Sequence, residues 1–67
     1  PSDGYKISEI YEGEVTYYGF INKDRAWLIM RQNTNDNSFR YAKGGSDFPA
    51  NWQNRENLKY DYFYNLF

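Results

Sequence analysis

The chain of 67 residues contains no cysteine and no histidine. Disulfide bonds are therefore excluded, and a structural zinc site is not expected because its usual ligands are missing. The same residue types most often serve enzymes as nucleophile or proton shuttle. A chain this short also buries a small share of its surface, so it needs dense packing or association with other chains to be stable.

Long apolar runs and an excess of one charge are missing as well. No stretch approaches the roughly 20 apolar residues that span a bilayer, and there is no basic and apolar leader for secretion. Acidic and basic residues are interspersed and the net charge is -1, so the basic patch typical of nucleic-acid binding is not present. We therefore expect a protein made in the cytoplasm, without membrane insertion and without a nucleic-acid partner. Pro1 is consistent with removal of an initiator Met, although a trimmed fragment would begin in the same way.

Aromatic residues supply most of the apolar surface. They make up 22% of the chain, whereas Ile, Leu and Val together number eight. Aromatic side chains bury large areas, and Tyr and Trp also tolerate a half-wet boundary, which makes them common in protein contacts. The composition indicates that most aromatics form the core and that others are shared with neighbouring chains.

β-branched and aromatic residues cluster in residues 15–31, which predicts a β-hairpin. A two-residue turn would pair Phe20 with Trp27, whereas a three-residue turn ending at Arg25 would pair Phe20 with Leu28. The second turn places Arg25 in a left-handed conformation that glycine adopts more easily. The sequence leaves both registers open.

The rest of the chain extends this hairpin into a meander. Gly19 interrupts its first strand and needs a cross-strand aromatic or aliphatic side chain to cover it. Residues 38–43 alternate apolar and polar side chains, which predicts another strand after a polar turn. Residues 1–14 alternate imperfectly, so we expect a partly irregular N-terminal arm, with a bulge marked by Gly13.

The C-terminal part predicts a loop and short helical segments. Residues 48–57 suit a helical turn or compact loop anchored by Trp52, followed by a short strand at residues 58–60 and a helical turn with Asp61 as N-cap. The predicted fold is mainly β, a small antiparallel three- to four-stranded meander with a C-terminal loop and short helical turn. Residues 15–67 form its single small β domain.

Two constellations suggest chemistry but have simpler explanations. Residues 33–37 resemble the start of a calcium loop, yet Ser38 and Gly44 stand where such a loop needs Gly and a bidentate Glu. Glu12 and Glu14 on a strand would lie about 6 to 7 Å apart on one face, which a glycosidase can use, but a chain this small builds no cleft to desolvate one carboxyl. We expect no enzymatic activity, no metal and no cofactor.

Aromatic residues are the candidates for binding. Tyr17, Tyr18, Trp27 and Tyr41 are predicted on an exposed sheet face, where flat rings can stack on sugars. The aromatic tail is predicted to be core and interface together, covered by symmetric association. The candidate interface or binding residues are Tyr17, Tyr18, Trp27, Tyr41, Trp52, Arg55, Tyr60, Tyr62, Phe63 and Phe67.

The segments YYGF, AWLIM, FRYAKG and NWQNRENLKYDYF, in this order, resemble a small aromatic module of virion structural proteins from tailed bacteriophages. In that family the module stands at the ends of fibre, tail or capsid-associated chains. The sequence departs from the pattern at Arg25, where glycine is usual, and at Leu28, where Tyr is common. The resemblance supplies no catalytic or ligand residues.

The resemblance implies a non-enzymatic structural protein located in the virion. Its expected partners are other virion proteins and further copies of itself, with a homotrimer the natural arrangement for a fibre or spike. Two alternatives stay open. One is a carbohydrate-binding or host-recognition tip that takes a surface glycan, and the other is a small phage inhibitor of a host protein.

Overall fold

The computed structural model describes residues 4–67. Four strands form one antiparallel sheet in which chain neighbours are also sheet neighbours. The predicted class, a small and mainly β antiparallel meander with short C-terminal helical segments, is confirmed. The elements are β1 (Lys6–Tyr11), β2 (Val15–Ile21), β3 (Trp27–Asn33), β4 (Ser38–Gly44), α1 (Phe48–Gln53), a 3-10 turn (Arg55–Asn57) and α2 (Phe63–Leu66).

The β2–β3 hairpin uses the three-residue turn. Phe20 pairs with Leu28, and Arg25 adopts the left-handed conformation with a φ of 68°. The side-chain oxygen of Asn22 accepts hydrogen bonds from two backbone N–H groups of the turn, at 2.9 and 3.0 Å. Such Asx bonds stabilise a tight turn and help offset the cost of a left-handed residue other than glycine.

Strand β1 occupies residues 6–11 of the predicted N-terminal arm. Its pairing with β2 shifts between Ile7 and Glu9, so a bulge lies at Ser8. The predicted bulge at Gly13 is wrong, because Gly13 lies in the bend that connects β1 to β2. Every residue of β1 is exposed, which makes this strand the least protected part of the sheet.

One face of the sheet carries the core. Paired residues of antiparallel strands share a face, so Gly19, Ile29 and Ala42 form a row in which Ile29 is fully buried. A Cβ atom on Gly19 would lie 2.7 Å from Phe48 Cζ and 2.9 Å from Trp52 Cζ3. The cover of Gly19 therefore comes from helix α1 rather than from a cross-strand neighbour. Phe48, 6% exposed, is buried more deeply than the predicted anchor Trp52.

Trp27 is the second anchor of the core face. Its side chain is 4% exposed, and its indole Nε1 donates a hydrogen bond to the carbonyl oxygen of Ser46 at 2.7 Å. The indole lies across its paired residue Gly44 and occupies the space that a Cβ would take there. Glycine at the last position of β4 is therefore a packing requirement.

The C-terminal segment crosses the edge of β4. Tyr41 and Asp61 exchange backbone hydrogen bonds of 2.7 and 2.8 Å in a single bridge. The predicted strand at residues 58–60 is wrong, because pairing is confined to that one residue. Helix α2 has Tyr62 as its N-cap, and the predicted N-cap Asp61 is held in the bridge instead. The Asp61 carboxylate accepts bonds from the Tyr62 N–H and the Asn65 amide, at 2.7 and 3.0 Å.

Candidate protein-interaction surface

The face of the sheet opposite the core is apolar and open. The pairing of the strands and the alternation of side chains place two rows of paired residues on this face, and each row runs across all four strands. Phe39 lies in the row beyond them. Helix α1 packs on the core face, and α2 reaches this second face at the β4 edge. We call the surface the open face; it consists of Ile7, Ile10, Tyr18, Phe20, Leu28, Met30, Phe39 and Tyr41.

Exposure separates the two faces of the sheet. Ile7, Ile10 and Phe39 are 57%, 50% and 37% exposed. The other open-face residues are partly buried, whereas Ile29 between two of them in strand β3 is fully buried. A contiguous apolar surface of this kind makes the open face the candidate interaction site of the domain.

The open face has an apolar centre and a polar end. Lys43 is the one charged residue in its rows, at the corner of β4, where its ammonium lies 4.4 Å from the centre of the Phe67 ring. At one end the Tyr18 hydroxyl donates to the Gln32 side chain at 3.4 Å, and Gln32 donates to Asn37 at 2.9 Å. A centre without charge and a polar rim are the usual anatomy of a protein interface.

Both edges of the sheet are less suited to a partner than this face. The backbone of β4 is engaged at Tyr41 by the bridge to Asp61. The free edge, β1, carries the bulge at Ser8 and the charged residues Lys6 and Glu9. Bulges and charges are devices by which natural sheets prevent strand addition. The open face is therefore the preferred site of contact.

The aromatic tail extends the open face beyond β4. The Phe63 ring meets Tyr41 edge-on at 5.1 Å between ring centres and lies 4.6 Å from Phe67. Phe63 and Phe67 are 49% and 58% exposed. The rings of Phe63 and Phe67 thus add an exposed margin to the apolar surface.

The predicted binding residues divide between the two faces. The strand register places the side chains of Tyr17 and Trp27 on the core face, whereas that of Tyr18 lies on the open face. Tyr17 and Trp27 are 7% and 4% exposed. The prediction that these two belong to an exposed aromatic ledge is therefore wrong. The predicted residues on the core side are Tyr17, Trp27, Trp52, Arg55 and Tyr60, and those at or beside the open face are Tyr18, Tyr41, Phe63 and Phe67.

Tyr62 packs against Arg40 instead of joining either group. The Arg40 guanidinium lies 4.0 Å from the centre of its ring, and the Tyr62 hydroxyl accepts a hydrogen bond from Arg40 at 3.1 Å. Sequence reasoning missed six residues of the open face, which are Ile7, Ile10, Phe20, Leu28, Met30 and Phe39. Period-two alternation identifies Phe20 from Tyr18 and Phe39 from Tyr41, but the other four follow only from the register across the sheet.

The Arg55 side chain packs against residues of the core side; we call this contact the Arg55 clamp. Its guanidinium carbon lies 4.7 Å from the Tyr11 ring centre and 4.8 Å from that of Trp52. Nη1 donates to the carbonyl oxygen of Trp52 at 2.9 Å. The Tyr60 hydroxyl donates to the Arg55 carbonyl at 2.9 Å, and burial, with Tyr17 nearby, raises the pKa of Tyr60 above its ordinary value. Arg55 thus joins β1, α1 and the C-terminal segment.

Within residues 4–67 no group of three or more Asp or Glu side chains is placed to hold a metal ion. The helices of this part of the chain are too short and too polar to cross a membrane. Asp36 in the β3–β4 turn accepts hydrogen bonds from Ser38, which lower the pKa of its carboxyl. Those bonds show an Asx-type turn at the place where the sequence resembles a calcium loop.

Fold and surface together define a small antiparallel β meander with a core on one face and a largely apolar surface on the other. The chain matches no family model, no curated protein and no solved structure.

Proposed function

We propose that the chain is a non-enzymatic structural module that associates with other protein chains through the open face. The observation that carries the proposal is an apolar sheet face on which Ile7, Ile10 and Phe39 are exposed and the other residues are partly buried, opposite a face that already has its core. A surface of this composition left in water favours aggregation unless a partner covers it.

The size of the open face fits such a role. Four strands about 4.8 Å apart, each of about seven residues at about 3.4 Å, give a flat surface of roughly 19 by 24 Å, or ~450 Å². The largest apolar patch on a monomer is typically about 300–600 Å² and is often functional. The outline of the whole face, which also includes Thr16, Gln32 and Lys43, is of this size, and the rings of Phe63 and Phe67 lie outside it.

We further propose that the assembly is a tailed-bacteriophage particle, in which the chain is a fibre, tail or capsid-associated module. The support is the resemblance described above, carried by the order of Trp27, Tyr41, Gly44, Asp47, Trp52, Arg55, Leu58, Tyr60 and Tyr62. Four of these residues build contacts of the core side, since Trp27 lies on Gly44 and Trp52 on Arg55. The shared pattern thus corresponds to residues that make one packed unit.

Met30 provides a direct test, because it is the only methionine and lies on the open face. Peroxide oxidation of Met30 should be slower in purified phage particles than in the free chain, because a bound partner excludes solvent from its thioether. The control is Tyr11, which is half-exposed and packs on Arg55 at the core side. Its labelling by hydroxyl radicals should change less.

Two results would contradict the proposal. One is the absence of peptides of this chain from purified virions, which would exclude a structural role in the particle. The other is oxidation of Met30 at the same rate in free and assembled chains, which removes the open face as the contact.

The glycan alternative depends on residues that the structure leaves on the open face. Tyr17 and Trp27 are buried, so Tyr18 and Tyr41 are the two residues of the predicted aromatic ledge that remain on the open face. Glycan-array binding that disappears in Tyr18→Ala with the fold intact would support a host-recognition tip. Absence from virions combined with specific binding to one host protein would support the inhibitor.

A further inference from the structure

We infer that the occupant of the open face is a second copy of this chain, and that two copies pack face to face as an eight-stranded β-sandwich. The inference rests on the proposed function, because it names the partner of the same face. Stacked sheets of this kind lie about 10 Å apart, with their strands rotated by about 30°.

The first argument is the area. Two open faces of ~450 Å² each remove ~900 Å² of flat surface, and accessible area is larger because side chains stand out of the plane. The exposed rings of Phe63 and Phe67 add to this at the β4 margin. The sum is about 1,000 Å², which is the lower limit for a specific interface.

The second argument is charge. A two-fold interface brings each surface against itself, so a charged residue near its centre would lie close to its own copy. The central residues Tyr18, Phe20, Leu28 and Met30 carry no charge, and Lys43 lies at a corner beneath the Phe67 ring. The chain as a whole has a net charge of -1, so repulsion between two copies is small.

The third argument is the size of the core. The buried hydrophobic residues of residues 4–67 are Tyr17, Trp27, Ile29, Ala42 and Phe48, and among them only Ile29 is fully buried. All of them belong to the core face or to α1. Pairing would turn the open face into a second packed layer between two sheets, which supplies burial that one copy cannot provide.

Pairing through the sheet edges is disfavoured. The bridge at Asp61 engages the β4 edge, and the bulge at Ser8 interrupts the β1 edge. An extended sheet across two copies would need a long run of free backbone groups, which neither edge offers. The face is therefore the site at which copies meet.

The test is the molar mass of the purified chain by light scattering across a concentration series. Wild type should approach twice the 8.1 kDa chain mass by roughly hundred-micromolar concentration and dissociate on dilution. Ile10→Glu places an unpaired carboxylate in the apolar interface and should raise the dissociation constant by about tenfold or more, because its charge would lose water without gaining a partner. Ser8→Glu, in the same strand but beside the core face near Trp52, is the matched control and should leave the mass unchanged.

Ile10 is half-exposed in one copy, so its replacement leaves the fold of that copy intact, which circular dichroism verifies. A second variant, Met30→Glu, addresses the centre of the face. If Met30→Glu fails to fold, Ile10→Glu alone decides the result. Met30 oxidation in wild type gives an independent measure, because it should slow as concentration rises through the range of dimer formation.

Three outcomes would overturn the inference. They are a wild-type monomer at hundred-micromolar concentration, a mass of three chains, and a dimer that Ile10→Glu leaves as tight as Ser8→Glu does. If Met30 is nevertheless protected in virions, the proposed function stands with a different partner. A stable face-to-face dimer that is missing from virions would instead reject the phage assignment and keep the inference.

Discussion

Replacing Gly19 by Ala should destabilise the protein, although strand propensity alone predicts the opposite. Glycine in a strand is disfavoured for its entropy, so an alanine that fits would raise stability by about 0.4–1 kcal/mol. At Gly19 the added Cβ would lie 2.7 Å from Phe48 Cζ and 2.9 Å from Trp52 Cζ3. Carbon atoms are normally about 3.5–4.0 Å apart, so both rings must retreat by several tenths of an ångström or more.

The rings have little freedom to do so. Phe48 is 6% exposed and lies 5.8 Å from Trp52 between ring centres. Overpacking of a core costs typically about 1–3 kcal/mol, and the entropy gain offsets a part of it. We expect Gly19→Ala to lower the free energy of unfolding by about 1–2 kcal/mol, which lowers Tm by roughly 4–16 °C in a domain of this size.

Urea denaturation followed by circular dichroism, at one fixed protein concentration, measures the effect. Gly45→Ala is the matched control, because nothing lies within 4 Å of its added Cβ, and its stability should be equal to wild type or higher. Phe48→Leu removes part of the obstructing ring, so the double variant with Gly19→Ala should be more stable than the sum of the single changes predicts. Stability of Gly19→Ala equal to or above wild type would refute the assigned contact between α1 and β2.

Three further predictions address the turn, the clamp and the tail. Arg25→Gly should stabilise the protein by about 1 kcal/mol in urea titrations, because Arg25 adopts a left-handed φ of 68°; a loss would refute this. Arg55→Lys should lower the free energy of unfolding by about 1 kcal/mol, because a compact ammonium cannot reproduce the planar stacking on two rings; unchanged stability would exclude the clamp. Hydrogen bonds from Asn65 and Tyr62 lower the pKa of the Asp61 carboxyl from 3.8. The ionised carboxylate therefore stabilises the fold fully above pH 3.8, and this stabilisation is lost as the pH falls through the lower pKa of the folded state. NMR contacts between α2 and β4 should weaken as the pH falls through this folded pKa. Asp61→Asn should make these contacts independent of pH in this range.

Local sequence signals predicted the elements more reliably than their contacts. Dense β-branched and aromatic residues identified the hairpin of residues 15–31, and polar clusters identified its turns. The hairpin register followed once Arg25 was seen in the left-handed conformation, with the Asn22 side chain bonded across the turn. Asn22 was a signal present in the sequence, because an Asx residue at the start of a turn favours this arrangement.

The candidate surface was harder to predict because it depends on side-chain direction. Tyr17 and Tyr18 are adjacent, equally aromatic and equally suited to a strand, yet one is buried and the other lies on the open face. A strand with apolar residues on both faces contains no alternation that tells which face holds the core. Local pattern cannot decide this for residues 17–20.

The amino-acid sequence by itself determined the class of this protein, a small β meander that relies on aromatic packing and has no cysteine or histidine chemistry. Tertiary structure alone decided which face became the core, because the core forms on the face of the sheet against which α1 packs. Gly19 and Gly44 leave space on one face only, and Phe48, Trp52 and Trp27 fill it. The opposite face, with Met30 near its centre, is apolar as well, and it is the face that we propose a partner covers.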